Sequence, residues 1–176
     1  MSQGEIVERY LRAHVTEAKL AAQRHEGPRP HPFITISREA GAGGTPLADR
    51  LVEILADGPD SAIFGTWEVF DRRLCEIVAK DPAYSRSLDA LYAEEYPTKA
   101  HDFFRQVIGS TIDHGILMER VFDVVRAVAG IGKVVIIGRG GSEVTRGMPN
   151  GLSVRLVAPL EQRIHHLMKM EDLSRK

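Results

Sequence analysis

Apolar residues recur every three or four positions across residues 3–24, where Val7, Leu11, Val15, Ala18 and Ala22 form one stripe with Ile6 and Tyr10 beside it. That period predicts an amphipathic helix. Glu5, Glu8, Arg9, Arg12, Glu17 and Lys19 mostly face away from the stripe. HEGPRPHP then stops the helix with three prolines and a glycine, and reads as a linker. The stripe needs a cover, either the flank of the same domain or a second subunit. The expectation is a homodimer through this N-terminal helix, because soluble monomers avoid bare apolar stripes.

The pattern changes at residue 33. FITISREAGAGGTPLADRLVEIL reads as a short apolar strand, a glycine-rich turn and an amphipathic helix ending near Ala56. ADGPD is a loop, and residues 61–67 form a weak second strand. Residues 69–80 are helical, with Asp71 near the start, and Pro82 breaks that helix. Two further helices, 84–96 and 99–111, are separated by Pro97. A longer amphipathic helix over 116–129 is ended by Gly130 and Gly132. KVVII, residues 133–137, is a continuous apolar run of the kind buried on both faces, and GRGG follows at once. A further strand over 152–157 leads to a helix over 159–170. Strands alternating with helices imply an α/β fold, a parallel sheet with helices on both faces. Such sheets bind ligands at the carboxyl ends of their strands. Both glycine-rich turns, after Ile36 and after Ile137, fall at such ends.

Composition narrows the function classes. The length suits one domain with a sizeable core, and the formal net charge is −1. No global basic field argues for nucleic acid or an anionic membrane, so neither is expected as a partner. The N-terminus lacks a signal-type apolar run, and no stretch approaches the ~20 apolar residues of a membrane span. A single cysteine, Cys75, permits no internal disulfide and fits a reducing cytoplasm. Its apolar neighbours in RRLCEIVA mark it as a core residue.

The first glycine turn carries the candidate chemistry. Gly41, Gly43 and Gly44 leave backbone N–H groups uncovered by side chains, with Ala42 between them. Those groups and the positive end of the following helix suit a phosphate. Arg38 to Thr45, REAGAGGT, is a degenerate match to G-x-x-x-x-G-K-[ST]. Gly43 and Thr45 fit, Thr45 standing where a P-loop places its magnesium-ligating hydroxyl. Arg38 replaces the first glycine and Gly44 replaces the lysine. The alternative is a plain strand–helix turn with capping glycines and Thr45 as N-cap. Arg38 can supply the charge of the missing lysine, since a guanidinium grips phosphate with two prongs. Otherwise it is a surface arginine paired with an acid such as Glu39. Arg139 lies between glycines beyond a buried strand and is either a phosphate contact or a turn arginine. Asp71 either holds a metal-bound water or activates the acceptor, or else caps its helix. Glu68 is a weaker substitute, and Arg72 and Arg73 read as a solvated face. Arg105 reads as a surface residue and Trp67 as core. His101 and Asp102 have no ligand spacing. His165 and His166, adjacent on a helix, point apart and read as exposed.

TISREAGAGGTPLADRL, WEVFDRRLCEIVA, VVIIGRGG and LSVRLVAPLEQRI occur in an order that resembles the cytidylate kinase-like family, relatives of the P-loop nucleoside monophosphate kinases. The resemblance covers residues 33–176 and leaves 1–32 as an extra N-terminal helix and linker. It implies a P-loop NTPase-like three-layer fold with a helical insertion over about 82–130 and a lid and final strand that look incomplete. The implied activity moves the γ-phosphoryl of ATP to a nucleoside monophosphate or similar small acceptor, with Mg²⁺. Gly41, Gly43, Gly44 and Thr45 match the family's phosphate loop. Arg139 matches an arginine implied to contact acceptor-side phosphate, Asp71 a recurring acidic position, and Arg163 an arginine on the helix leading to the lid. The acidic positions of the family's D-G-R-D turn are Ile137 and Gly140 here, so the metal-organising carboxylate is missing. The rival expectation is a nucleotide-binding regulatory module with little turnover, because losing one transition-state donor costs ~10²–10³ in rate. A weaker rival is a structural protein that keeps only the fold.

Overall fold

The computed structural model describes residues 3–25, 31–58, 67–95 and 114–170. In chain order the elements are α1 (Gln3–Gln23), β1 (Phe33–Arg38), α2 (Gly44–Ala56), β2 (Glu68–Phe70), α3 (Arg72–Lys80), α4 (Pro82–Glu95), α5 (His114–Ile131), β3 (Val134–Ile137), α6 (Gly141–Val144), β4 (Gly151–Leu156) and α7 (Leu160–Met170). The four strands form one sheet in the order β2-β3-β1-β4, and every pairing is parallel. The α/β architecture expected from the alternating pattern is therefore present.

Strand alternation divides the core in two. Phe33, Phe70, Val134 and Ile136 point to one face, under α1, α3, α4 and α5. Ile36, Val135 and Ile137 point to the other, with Trp67, under α2. Side chains in a strand alternate faces, so VVII buries all four residues only because helices cover both sides. Trp67 and Cys75 are core residues, as expected, and burial pushes the Cys75 thiol up to about 12.

The first half of the α1 stripe is covered within the chain, whereas Val15 and Ala22 stay exposed. Val7, Tyr10 and Leu11 are buried in the same cluster as Leu74, Val78 and Leu88. The Tyr10 hydroxyl lies 2.8 Å from the Gly132 carbonyl, and Arg9 grips Glu68 at 2.5 and 2.7 Å. Lys133 Nζ donates to Glu17 at 2.9 Å. The surface that the first half of α1 needs is therefore its own domain, and only Val15, Leu20 and Ala22 remain exposed on the helix's apolar side.

Several boundaries differ from the expected ones. The second strand is Glu68–Phe70, so Trp67 precedes it; the rest of the expected strand, residues 61–66, lies outside the described residues. Val69 belongs to that strand and not to the following helix, which starts only after Asp71 turns the chain. Pro82 opens α4 instead of merely ending α3, as proline's fixed φ and missing donor suit a first helical turn. Gly130 sits inside α5, and Gly132 at φ +84° ends it. A Cβ on Gly132 would come within 2.5 Å of the His31 carbonyl oxygen, so that close approach also requires glycine. The expected helix over residues 99–111, with His101, Asp102 and Arg105, lies outside the described residues. Among the described residues, no helix is long and apolar enough to cross a membrane.

Candidate functional site

β1 and β3 are neighbours whose onward connections diverge. After β1 the chain crosses to β2 on one side, and after β3 it crosses to β4 on the other. Their carboxyl ends therefore bound a crevice at the topological switch point, the usual ligand position in such sheets. The two glycine turns form its walls.

The first turn runs from Arg38 to Thr45. Gly43 at φ +85° is the N-cap of α2 and makes no side-chain cap bond. Thr45 is thus inside the first helical turn, which corrects the reading of it as the cap. The first intrahelical bond runs from the Leu47 N–H to the Gly43 carbonyl at 3.1 Å. The N–H groups of Gly43, Gly44 and Thr45 have no hydrogen-bond acceptor among the described residues. They stand at the positive end of a 13-residue helix. Pro46 supplies no N–H, and the Ala42 N–H is committed to the Glu39 carbonyl at 3.1 Å. Ala42 is therefore a spacer, not a donor.

Arg38 spans the crevice. Its Cδ lies 2.9 Å from where a Gly44 Cβ would stand, and its guanidinium occupies the space a Gly138 Cβ would need. A Cβ at either position would push the flexible Arg38 side chain aside, and Gly138 is held to glycine by its φ of +72°. Arg38 is exposed and has no acid partner among the described residues. The surface pairing with Glu39 is absent; Glu39 instead approaches Arg163 at 3.3 Å and the Ala158 N–H at 3.4 Å.

The second turn holds three consecutive left-handed residues, Gly138, Arg139 and Gly140, with Arg139 at φ +52°. A non-glycine residue there is strained, and such strain concentrates at functional sites. Arg139 is ion-paired with Glu76 and approaches Met118 Sδ at 3.8 Å. Its Nε is buried without a partner among the described residues. Glu76 also accepts from Arg72 Nε at 3.1 Å, and that hydrogen bond, with Arg139 and Lys80 nearby, holds its carboxyl below the usual range. Arg38, Arg72, Arg139, Met118, Phe122 and Gly140 line a cleft of about 460 Å³. It presents three guanidinium groups and an apolar wall from α5, with Glu76 bonded to two of the three arginines.

The remaining expected residues are less convergent. Asp71 is the N-cap of α3, its Oδ1 accepting from the Leu74 N–H at 2.8 Å. Glu68 is buried beneath α1 in its pair with Arg9 and cannot stand in for Asp71. Arg163 packs α7 on the first turn: its Nη1 donates to the Ala40 carbonyl at 3.3 Å, and its own carbonyl oxygen lies 2.5 Å from a Gly41 Cβ position. His165 is exposed, as expected. His166 is not; it is half-buried, with Nδ1 2.9 Å from the Gly41 carbonyl oxygen. The spacing contained that signal, because residues 163 and 166 share a helix face. Arg72 and Glu76, four apart, were equally legible as a pair, as were Met118 and Phe122.

Residues 33–176 match the cytidylate kinase-like family. The chain belongs to that family. No curated protein matches the sequence. Among solved structures the chain resembles an uncharacterized protein from Eubacterium ventriosum ATCC 27560, with a TM-score of 0.52 at 20% identity. The match covers 82% of this chain and 64% of that protein, so this family member spans under two thirds of its neighbour's length and shares its fold.

The free N–H groups and Arg38 fit a phosphate. For magnesium the described residues offer the Thr45 hydroxyl, and phosphate oxygens and water normally complete such a shell.

Proposed function

We propose that the crevice between β1 and β3 binds ATP through a P-loop-type turn and that the chain transfers the γ-phosphoryl to a nucleoside monophosphate or a similar small acceptor. The observation that carries this is Arg38. Its unpaired guanidinium lies between Gly44 and Gly138, at the junction of both glycine turns and beside the free first-turn N–H groups of α2. Phosphoryl transfer needs positioning and charge stabilisation more than a special nucleophile. The N–H groups of Gly43, Gly44 and Thr45 would hold the donor phosphates, with Gly41 and Ala42 shaping the turn. Arg38 would stand in for the absent lysine. Thr45 would hold Mg²⁺, which neutralises the donor's charge when bound. Arg139, steadied by Glu76, would meet the acceptor phosphate, and Arg72 stands ready on the same side. Asp71 would orient the acceptor through the carboxylate oxygen not engaged in its cap. Arg163 would sense the donor through its hold on the turn. The proposed setting is the cytoplasm, in keeping with the lone buried thiol.

A second reading, a nucleotide-binding module with little turnover, is favoured by one observation. Three acids near the crevice among the described residues are engaged: Asp71 caps a helix, Glu76 binds two arginines, and Glu39 is bound to α7. The full chain incubated with ATP, Mg²⁺ and a panel of nucleoside monophosphates separates the two. Diphosphate products support the kinase, and nucleotide binding without products supports the module. Absence of both binding and products would reject the two together.

A further inference from the structure

The opposite edge of the sheet holds a second cluster, which the proposed phosphotransfer does not use. We propose that His14, Glu17 and His31 bind a divalent cation of the zinc class and thereby tie α1 to the amino-terminal edge of the sheet. His14 and Glu17 are three apart on α1, so they share a helix face. His31 lies two residues before β1, and Lys133 lies immediately before β3. One donor atom from each of His14, Glu17 and His31 lies within 4.8 Å of the others. Tetrahedral zinc with bonds of ~2.0–2.2 Å needs its ligands roughly 3.3–3.5 Å apart. Small rotations of side chains already facing one another close that difference.

Two observations point to a metal and not to a simple buried polar cluster. His14 is 4% exposed, and its Nε2 has no hydrogen-bond partner among the described residues. A buried nitrogen in that condition is costly unless something coordinates it. The donor set is two imidazoles and one carboxylate, which suits zinc and disfavours magnesium or calcium. The two oxygens of Glu17 share Lys133, and only Oε1 also faces a histidine. Lys133 Nζ donates to both, at 3.2 Å to Oε1 and 2.9 Å to Oε2, and Oε1 also faces His31 Nε2 at 3.2 Å. A cation entering between His31 and Oε1 takes the Nε2 lone pair of the neutral imidazole, whose one ring hydrogen then sits on Nδ1. Lys133 gives up its longer contact to Oε1 and keeps Oε2, as the outer partner that orients a ligating carboxylate. Lys133 also repels the incoming charge, so moderate affinity is expected, with a fourth position left for water.

The test is a Co²⁺ titration of the full chain, followed by Zn²⁺ competition and thermal melts. One equivalent of Co²⁺ should produce the visible absorption of a tetrahedral site, Zn²⁺ should abolish it, and Zn²⁺ should raise the melting temperature. His31→Gln and Glu17→Gln should each remove the band while the far-ultraviolet circular dichroism stays that of the parent. The double variant His165→Gln/His166→Gln should keep it. No band and no melting shift in the parent at about 0.1 mM metal would overturn the proposal. So would a band that survives His31→Gln, or one lost in the His165/His166 double variant. The parent titration needs no variant to fold, and it is independent of nucleotide binding at the other edge.

Discussion

Arg38 and Arg139 enter the same crevice with different electrostatic commitments. Arg38 has no acid partner among the described residues, whereas Arg139 is held by Glu76 in a strained backbone position. Arg38→Ala should therefore weaken ATP more than the acceptor, and Arg139→Ala the acceptor more than ATP. Each loss should be about 1.5–3 kcal/mol, the usual worth of a hydrogen bond to a charged group. Lysine at either position should restore only part, because an ammonium lacks the second prong. Calorimetric titration of each variant, with circular dichroism as the folding check, reads the outcome. If both alanine variants bind every nucleotide as the parent does, the assignment fails. A separate residue-scale expectation concerns Asp123 on α5, whose carboxyl burial raises to about 6, with Glu119 adding to the rise and Arg126 opposing it. A folded pKa above the unfolded one means the folded state binds the proton more tightly. Stability should thus fall as pH rises from about 4 through about 6 and stay reduced above. Asp123→Asn should be more stable than the parent by about 1 kcal/mol near pH 7.5, after allowance for its half-exposed position, and indistinguishable near pH 4. Urea unfolding at both pH values measures the difference.

At the level of elements, α1 is a docked strap. Its apolar residues join the main core, and its polar face reaches Glu68, Gly132 and Lys133 along the sheet's amino-terminal half. Burial alone would raise the Glu17 carboxyl, but hydrogen bonds from His31 and Lys133 pull it down to about 2. Burial, with His31 and Lys133 nearby, keeps His14 neutral with a pKa of about 3. Lys133 is 2% exposed, so removing its partner strands a buried ammonium. Glu17→Gln in the metal-free protein should cost about 3 kcal/mol. A denaturation midpoint equal to the parent's would show that the pair contributes nothing to docking α1.

At the scale of the whole molecule, α1 closes the face of the sheet that α3, α4 and α5 cover only in part. Removing residues 1–32 deletes Val7, Tyr10 and Leu11 from the core and uncovers Phe70, Leu74 and Val78. The shortened chain should melt earlier and self-associate through the uncovered face. Light scattering and a thermal melt check this; a monodisperse fragment with the parent's stability would mean that α1 is dispensable. Nucleotide near 100 times its Kd should stabilise the full chain by about 2.7 kcal/mol.

The sequence by itself determined the alternation of strands and helices, the parallel sheet and the position of both glycine turns at strand ends. Those features follow from local periodicity and from backbone demands that only glycine meets. Family membership was legible from the same segments. It also placed Arg38 and Arg139 at one sheet edge, because parallel strands share a carboxyl end. Only the tertiary structure decided which surfaces meet. An apolar stripe carries no label for its partner, so α1 suited a second subunit as well as its own core. Side chains distant in sequence, such as Arg9 with Glu68 or Glu17 with Lys133, pair only once the sheet sets its strand order. His166 and Glu76 belong to the site for that reason: α7 and α3 had first to be packed against the turns that β1 and β3 present.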